Sequence, residues 1–268
     1  MILSLYHQSM KDKYLKTIER LNSDVLRNLS TLKYLTIYRN YADIELIDDS
    51  GDWAVMAAFP TRILSYDTAT YPKARKAVFL NGTSDKLKYD LLDMLKPDSY
   101  ILRLNEDLDL SGCRDRFTVS PGHAYISFTC TTPEILPDVT RILSNGRVTQ
   151  DGIDMFGRNG YTGDDISGYF ANGARWFGLT INGRLTSTCF VFQNYGNIWE
   201  IAGVHTLEKE RRHGYARTVV FSALKYLLDR GLTPRYEAER DNQGSIRLAM
   251  HLGMKEFLTI KHYLLEAR

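Results

Sequence analysis

Cysteine is scarce in this chain: three residues in 268, at Cys113, Cys130 and Cys189. They lie far apart, with no C-x-x-C pair and no cysteine/histidine cluster at ligand spacing, which argues against a structural zinc and leaves no metal site to propose. An odd number of cysteines without a secretory leader fits a reducing cytoplasm. Residues 1–14 lack a sustained apolar stretch, and no run approaches the roughly 18 residues of a membrane-spanning helix. Excess charge is small as well. Lys and Arg number 34 against 32 Asp and Glu, a net +2, so no global field points to nucleic acid or an anionic membrane as a partner. What is present is ordinary for a globular protein: 44% hydrophobic and 25% charged residues, in a chain long enough for two small domains.

The first part of the chain, 1–130, reads as a mixed α/β domain that packs against the rest or shapes a substrate entrance. Spacings of three and four from Tyr14 through Ile18, Leu21, Val25, Leu29 and Leu32 predict a helix over 10–35. A strand at 42–47 turns at the acidic stretch 48–52 into a second at 53–59. That turn lacks the twelve-residue pattern of a calcium loop and reads as a hairpin tip. Further expectations are a strand at 76–80 ending in an Asn81-Gly82 turn, a helix from Ser84 or Asp85 to Leu95, and a strand at 100–104. A hairpin around Ser120-Pro121-Gly122 covers 117–130. The join between the halves is placed in 131–146, which holds Pro133, Pro137 and Asn145-Gly146.

In the second part, 131–268, Thr162 to Asp165 has the form of a capping box opening a short helix. Alternating stretches at 175–181 and 185–192 flank Asn182-Gly183, the strongest short signal for a two-residue hairpin. Next come a strand at 198–204, a basic loop Arg211-Arg212-His213-Gly214, and a helix over 216–230. That helix has apolar residues at Ala216, Val219, Val220, Ala223, Leu224, Leu227 and Leu228, one amphipathic face. Its first turn leaves N–H groups without intrahelical partners and carries the positive end of the macrodipole. Gly214 lets the chain curl tightly, and the basic side chains suit phosphate oxygens. The loop lacks the Gly-Lys-Ser/Thr ending of a P-loop. A strand at 235–239, a helix after Asn242-Gln243-Gly244-Ser245 and a strand at 255–265 complete the order.

Arg211-x-x-Gly214-x-Ala216, followed by Asn242-x-x-Ser245-x-x-Leu248 and Leu252-Gly253-Met254, resembles the coenzyme-binding segments of the GNAT superfamily of N-acetyltransferases. The resemblance covers about the last 120 residues. Chain length and the run Gly203-Val204-His205-Thr206-Leu207 are similar to two-part enzymes of the glycine N-acyltransferase kind. The resemblance implies a mixed, mostly antiparallel sheet flanked by helices, with the 235–239 strand splayed or parallel beside 198–204. It also implies acetyl-CoA as the acyl donor. Arg211, Arg212, His213, Gly214, Tyr215 and Ala216 would wrap the pyrophosphate, the backbone of Val204, His205 and Thr206 would pair with the pantetheine arm, and Asn242 and Ser245 would touch the coenzyme.

The reaction so implied is acyl transfer to a primary amine of a small molecule or amino acid. Attack needs a neutral amine, hence a base. Glu200 is the candidate, with its pKa raised by burial against Trp199 and Ile201; the plainer alternative is an outward glutamate paired with a cation. His205 is a second possible relay. Family members often carry a leaving-group tyrosine where this chain has Ala249, so Tyr236, Tyr263 and His251 are the replacements to weigh. Transfer to a protein or peptide, or a weakly catalytic coenzyme-binding regulatory domain, are the competing readings. Asn242 and Ser245 can equally form a helix N-cap. Nothing in the sequence sets the oligomeric state or the acyl acceptor.

Overall fold

The structure, a computed structural model, describes residues 2–132, 142–145 and 147–268. The chain divides into two compact units, Met1–Tyr125 with Leu258–Arg268, and Ile126–Phe257. The first unit thus reclaims the end of the chain, which the sequence reading had placed with the second half. Most of the expected join lies outside the described residues.

In the first unit, α1 (Ile2–Asn22) and α2 (Leu29–Ile37) replace the single helix expected over 10–35. The break follows local hydrogen bonds: the Asp24 carboxylate accepts from the Arg27 N–H at 3.1 Å, and buried Asn28 donates to the Leu21 carbonyl at 2.9 Å. Such side-chain bonds compete with helix propagation. β1 (Asp43–Asp49) and β2 (Asp52–Pro60) form an antiparallel hairpin through Ser50 and Gly51, both at positive φ. α3 (Ser65–Thr70), β3 (Lys76–Gly82), α4 (Asp85–Asp93) and β4 (Ser99–Leu104) follow, with β3 antiparallel to β2 and parallel to β4. Asn81-Gly82 therefore ends a strand instead of making a turn.

The hairpin expected at Ser120-Pro121-Gly122 does not form; Phe117–Thr129 is one strand, β5. Its middle is held by side chains. The His123 N–H donates to the Tyr71 hydroxyl at 3.2 Å, and a Cβ at Gly122 would meet that oxygen at 3.1 Å. The glycine admits the tyrosine instead of reversing the chain.

The second unit contains β6 (Ile142–Asn145), α5 (Gln150–Gly157), α6 (Gly163–Ala171), β7 (Arg175–Ile181), β8 (Arg184–Tyr195), β9 (Ile198–Thr206), α7 (Tyr215–Leu228), β10 (Thr233–Glu239) and α8 (Gln243–His251). β11 (Lys255–Ala267) begins there and ends in the first unit, antiparallel to β4. The capping box at Thr162 and Asp165 opens α6, and Asn182 and Gly183, at φ 50° and 78°, close the β7–β8 hairpin, as the sequence predicted. α5 was not foreseen. Strands β6 to β9 are successive antiparallel neighbours, and β10 lies parallel to β9. One face of this sheet packs on α7 through Ile201, Val219, Val220, Leu224, Tyr236 and Ala238. The other packs on α5 and α6 through Met155, Phe156, Ile166, Phe190 and Phe192. This is the mixed, mostly antiparallel arrangement the resemblance implied. Among the described residues no helix is long and apolar enough to cross a membrane.

The first unit also buries a histidine. His262 Nδ1 and the Tyr71 hydroxyl lie 2.9 Å apart, and burial, with Arg103 and His123 nearby, pushes the imidazole down to about 2. The unfolded chain takes up this proton near 6.5 while the folded one does not, so stability falls as pH drops below 6.5. By about pH 4 the cost is on the order of 3 kcal/mol. Thermal melts should show a midpoint falling across this window, and His262→Gln should flatten the slope.

Candidate active site

The parallel pairing of β9 and β10 is short. Its rungs are Thr233 with Ile198, Pro234 with Trp199, Arg235 with Glu200, and Tyr236 with Ile201. Beyond them β9 runs on to Thr206 and β10 to Glu239 without pairing to each other. The strands part at Tyr236 and Ile201.

A bulge in β9 lies just past this point. Thr188 pairs with His205 but Phe190 with Ala202, so β9 holds one extra residue. Gly203 occupies it at φ +62, and a Cβ there would meet Phe190 at 2.6 Å and Phe156 at 2.8 Å. The bulge resets the alternation: Ala202 packs toward α5 and α6, whereas Val204 packs toward α7. An isolated glycine inside a strand was the available signal. Burial, with Tyr169 and Glu200 nearby, pushes the pKa of the Tyr161 phenol up.

On the open edge of β9, the Asn159 side chain donates to the Val204 carbonyl at 3.1 Å and Arg211 Nε to that of Thr206 at 3.4 Å. His205 Nδ1 lies 3.0 Å from Asn159 Oδ1. Burial and the charges of Arg158 and Arg211 lower its pKa, so the imidazole is favoured neutral. The basic loop then turns through two left-handed residues, Arg212 at φ 68° and Gly214 at φ 80°. Arg211, Arg212, His213 and Gly214 are exposed, the His213 ring stacks on Tyr215, and Ala216 lies in the first turn of α7. No side chain caps α7, and nothing lies within 4 Å of where a Cβ on Gly214 would be. The helix therefore presents its first N–H groups in an open cradle.

α8 is different, because its N-terminus is capped: Asn242 Oδ1 accepts from the Ser245 N–H at 3.1 Å. Burial pushes the phenol of Tyr236 up to about 12, with Ser245 nearby opposing the shift. Of the three groups considered for the leaving thiolate, Tyr236 is buried where the strands part. His251 is exposed at the far end of α8, and Tyr263 belongs to the other unit. Ala249 is buried in the α7-side core.

Glu200 does not meet the apolar surround expected of it. Trp199 and Ile201 pack on the α7 side, and strand neighbours point to opposite faces. Nor does it face outward. Its carboxylate, 8% exposed, accepts from Arg235 Nη1 at 2.6 Å and Asn194 Nδ2 at 2.9 Å, both on Oε2. Arg235 turns its other arm to Glu237 and to Ser127 Oγ, the latter at 2.8 Å. Burial opposes the guanidinium charge, but Glu200 and Glu237 outweigh it, and the pKa stands above its ordinary value. The sequence reading missed Arg235 and Glu237. Their alternation along one strand, opposite Glu200 in a parallel register, was the signal that could have found them.

The three cysteines are free and buried, and burial pushes up each thiol, that of Cys130 to about 11. None is poised as a nucleophile. Among the described residues no His/Cys/Asp/Glu group could hold a metal.

Residues 164–263 match the family model of the GNAT acetyltransferase. This stretch is a GNAT acetyltransferase domain. The chain is similar to the GCN5-related N-acetyltransferase from Sphaerobacter thermophilus over 90% of its own length and 86% of that chain, at 11% identity and TM-score 0.53. An acetyltransferase of the GNAT family from Colwellia psychrerythraea is similar over 91% and 97%, at 12% identity and the same TM-score, 0.53. These likenesses show the fold. The search of curated proteins finds no match.

Two substitutions test this GNAT domain's frame. Gly203→Ala forces a side chain into Phe190 and Phe156 at positive φ and should cost roughly 2–4 kcal/mol in denaturant unfolding. Arg235→Met leaves two carboxylates on one buried site and should cost about 3–5 kcal/mol, with Arg235→Met/Glu200→Met less damaging than the single change.

Proposed function

We propose that this protein transfers an acetyl group from acetyl-CoA to a primary amine of a small molecule or amino acid, by direct attack. The observation that carries this reading is the divergence of β9 and β10 directly before the uncapped α7 N-terminus, with the open cradle at Gly214. The first N–H groups of α7, with Arg211, Arg212 and His213, would hold the pyrophosphate. The open-edge carbonyls of Val204 and Thr206 would take the pantetheine amides, displacing the side chains of Asn159 and Arg211. Asn242 and Ser245 would flank the coenzyme from α8.

When bound, the thioester supplies the electrophilic acyl carbon. The amine nitrogen bonds to that carbon as the C–S bond breaks; the nitrogen loses a proton and the sulfur gains one. Tyr236 keeps its proton at neutral pH, its pKa being pushed up to about 12, and is the group here for the sulfur. The raised thiols of the three cysteines support attack without an acyl-cysteine.

Calorimetric titration with acetyl-CoA and CoA should show binding, and ATP none. Gly214→Trp should abolish it, since the ring fills the cradle. Tyr236→Phe should keep the affinity and lower kcat by roughly 10²-fold. No binding of either the thioester or the free thiol at millimolar concentration would overturn the reading; binding without turnover would favour a regulatory coenzyme-binding domain.

A further inference from the structure

Resting on that reading, we propose that Asn159, in the loop between α5 and α6, is a latch on the coenzyme site: it closes the edge of β9 until the pantetheine arm takes its place. Past the bulge at Gly203 the carbonyls of β9 alternate in direction. That of His205 turns toward β8, where Ser187 Oγ donates to it at 3.2 Å. Those of Val204 and Thr206 turn the other way, to the edge that β10 has left. Neither is bare. Asn159 Nδ2 donates to the first at 3.1 Å, and Arg211 Nε to the second at 3.4 Å.

Asn159 grips two consecutive residues of the strand. A carbonyl oxygen only accepts, so the amide nitrogen faces Val204, and Asn159 Oδ1 is left facing His205 Nδ1 at 3.0 Å. That oxygen also only accepts, which places the imidazole proton on Nδ1. The network therefore fixes the amide orientation and the tautomer together. It also fills the carbonyl that an amide of the arm needs, so the side chain and the coenzyme compete for one edge.

The loop is built to let go. Residues 157–160 are all exposed. Gly160 stands at φ +86, and nothing lies within 4 Å of where a Cβ on it or on Gly157 would be. Phe156 and Tyr161, on either side, carry the packing against the sheet. The stretch between them can turn at its two glycines and leave those rings seated. Exposed hydrogen bonds exchange with water at little net cost, so a ligand with its own donors replaces them. Arg211 works in the same sense. The side chain that covers Thr206 is one that would hold the pyrophosphate, so arriving phosphate draws it off a carbonyl the arm needs. A closed latch lowers the measured affinity, because only molecules with the edge open are competent to bind.

The test uses the full chain and calorimetric dissociation constants for acetyl-CoA and CoA. Asn159→Ala should tighten both ligands about three- to tenfold. His205→Ala removes one of the two bonds and should act in the same direction, by less, so either variant alone carries the test. Both bonds run through Asn159, so adding His205→Ala to Asn159→Ala should change nothing further. A side chain that merely supports the site would weaken binding when removed. Unchanged or weaker binding in Asn159→Ala overturns the latch, as does a further change in the double variant, and these outcomes leave the acetyltransferase reading standing. Failure of the wild-type chain to bind either ligand removes that reading and the latch with it.

Discussion

A buried guanidinium at Arg235 governs the second unit. It sits opposite Glu200 on a parallel pair of strands, one rung before they separate, and spends its two η nitrogens on carboxylates from both strands. Parallel pairs lack the turn that fixes an antiparallel hairpin, so side-chain bonds across the rungs matter more to their register. Here the cross-strand charge pair marks the end of the ladder. The end of the parallel ladder and the buried charge pair are therefore the same few residues.

Around that seam the two sheet faces do different work. The α7 face mixes aliphatic and aromatic side chains, Val219, Val220 and Leu224 beside Phe177 and Phe221, and gives the helix a fixed seat from which its N-terminus projects. The opposite face is aromatic: Phe190, Phe192, Tyr161 and Tyr169 lie with ring centroids 4.3 to 6.4 Å apart. Edge-to-face and tilted rings of this kind hold their spacing well. The extra residue at Gly203 joins the two systems, because it moves the end of β9 out of phase and turns Val204 from one face to the other.

Much of this was legible in the sequence. Period-two alternation and the Asn182-Gly183 pair gave the β7–β8 hairpin, and the three-four spacing of Val219, Val220, Ala223 and Leu224 gave α7. Local rules sufficed because each element's signal lies inside it. The failures have a common cause. Helix α1 was run on through residues 23–28 because the competing bond from Asn28 to Leu21 is invisible in periodicity. Ser120-Pro121-Gly122 was read as a turn because Tyr71, some fifty residues away in sequence, supplies the partner that keeps β5 straight. Glu200 was assigned an apolar surround from its sequence neighbours, whereas its surroundings come from Arg235 and Asn194. Motif spacing marks the basic loop and the start of α7; the carboxylate–guanidinium group on β9 and β10 is built from long-range contacts that no local pattern encodes.

The division of the chain carries a further consequence for how the protein is made. The second unit is a continuous stretch, Ile126–Phe257, set inside a first unit whose last strand comes from Leu258–Arg268. On the ribosome, the residues that pair with β4 are synthesised after the whole of the second unit. The order of synthesis therefore lets the inner unit gather its contacts first, while the earlier-made one waits for its closing strand with the edge of β4 unpaired on that side. An edge strand so exposed invites wrong pairing. The first unit, although translated earlier, is the last to be completed.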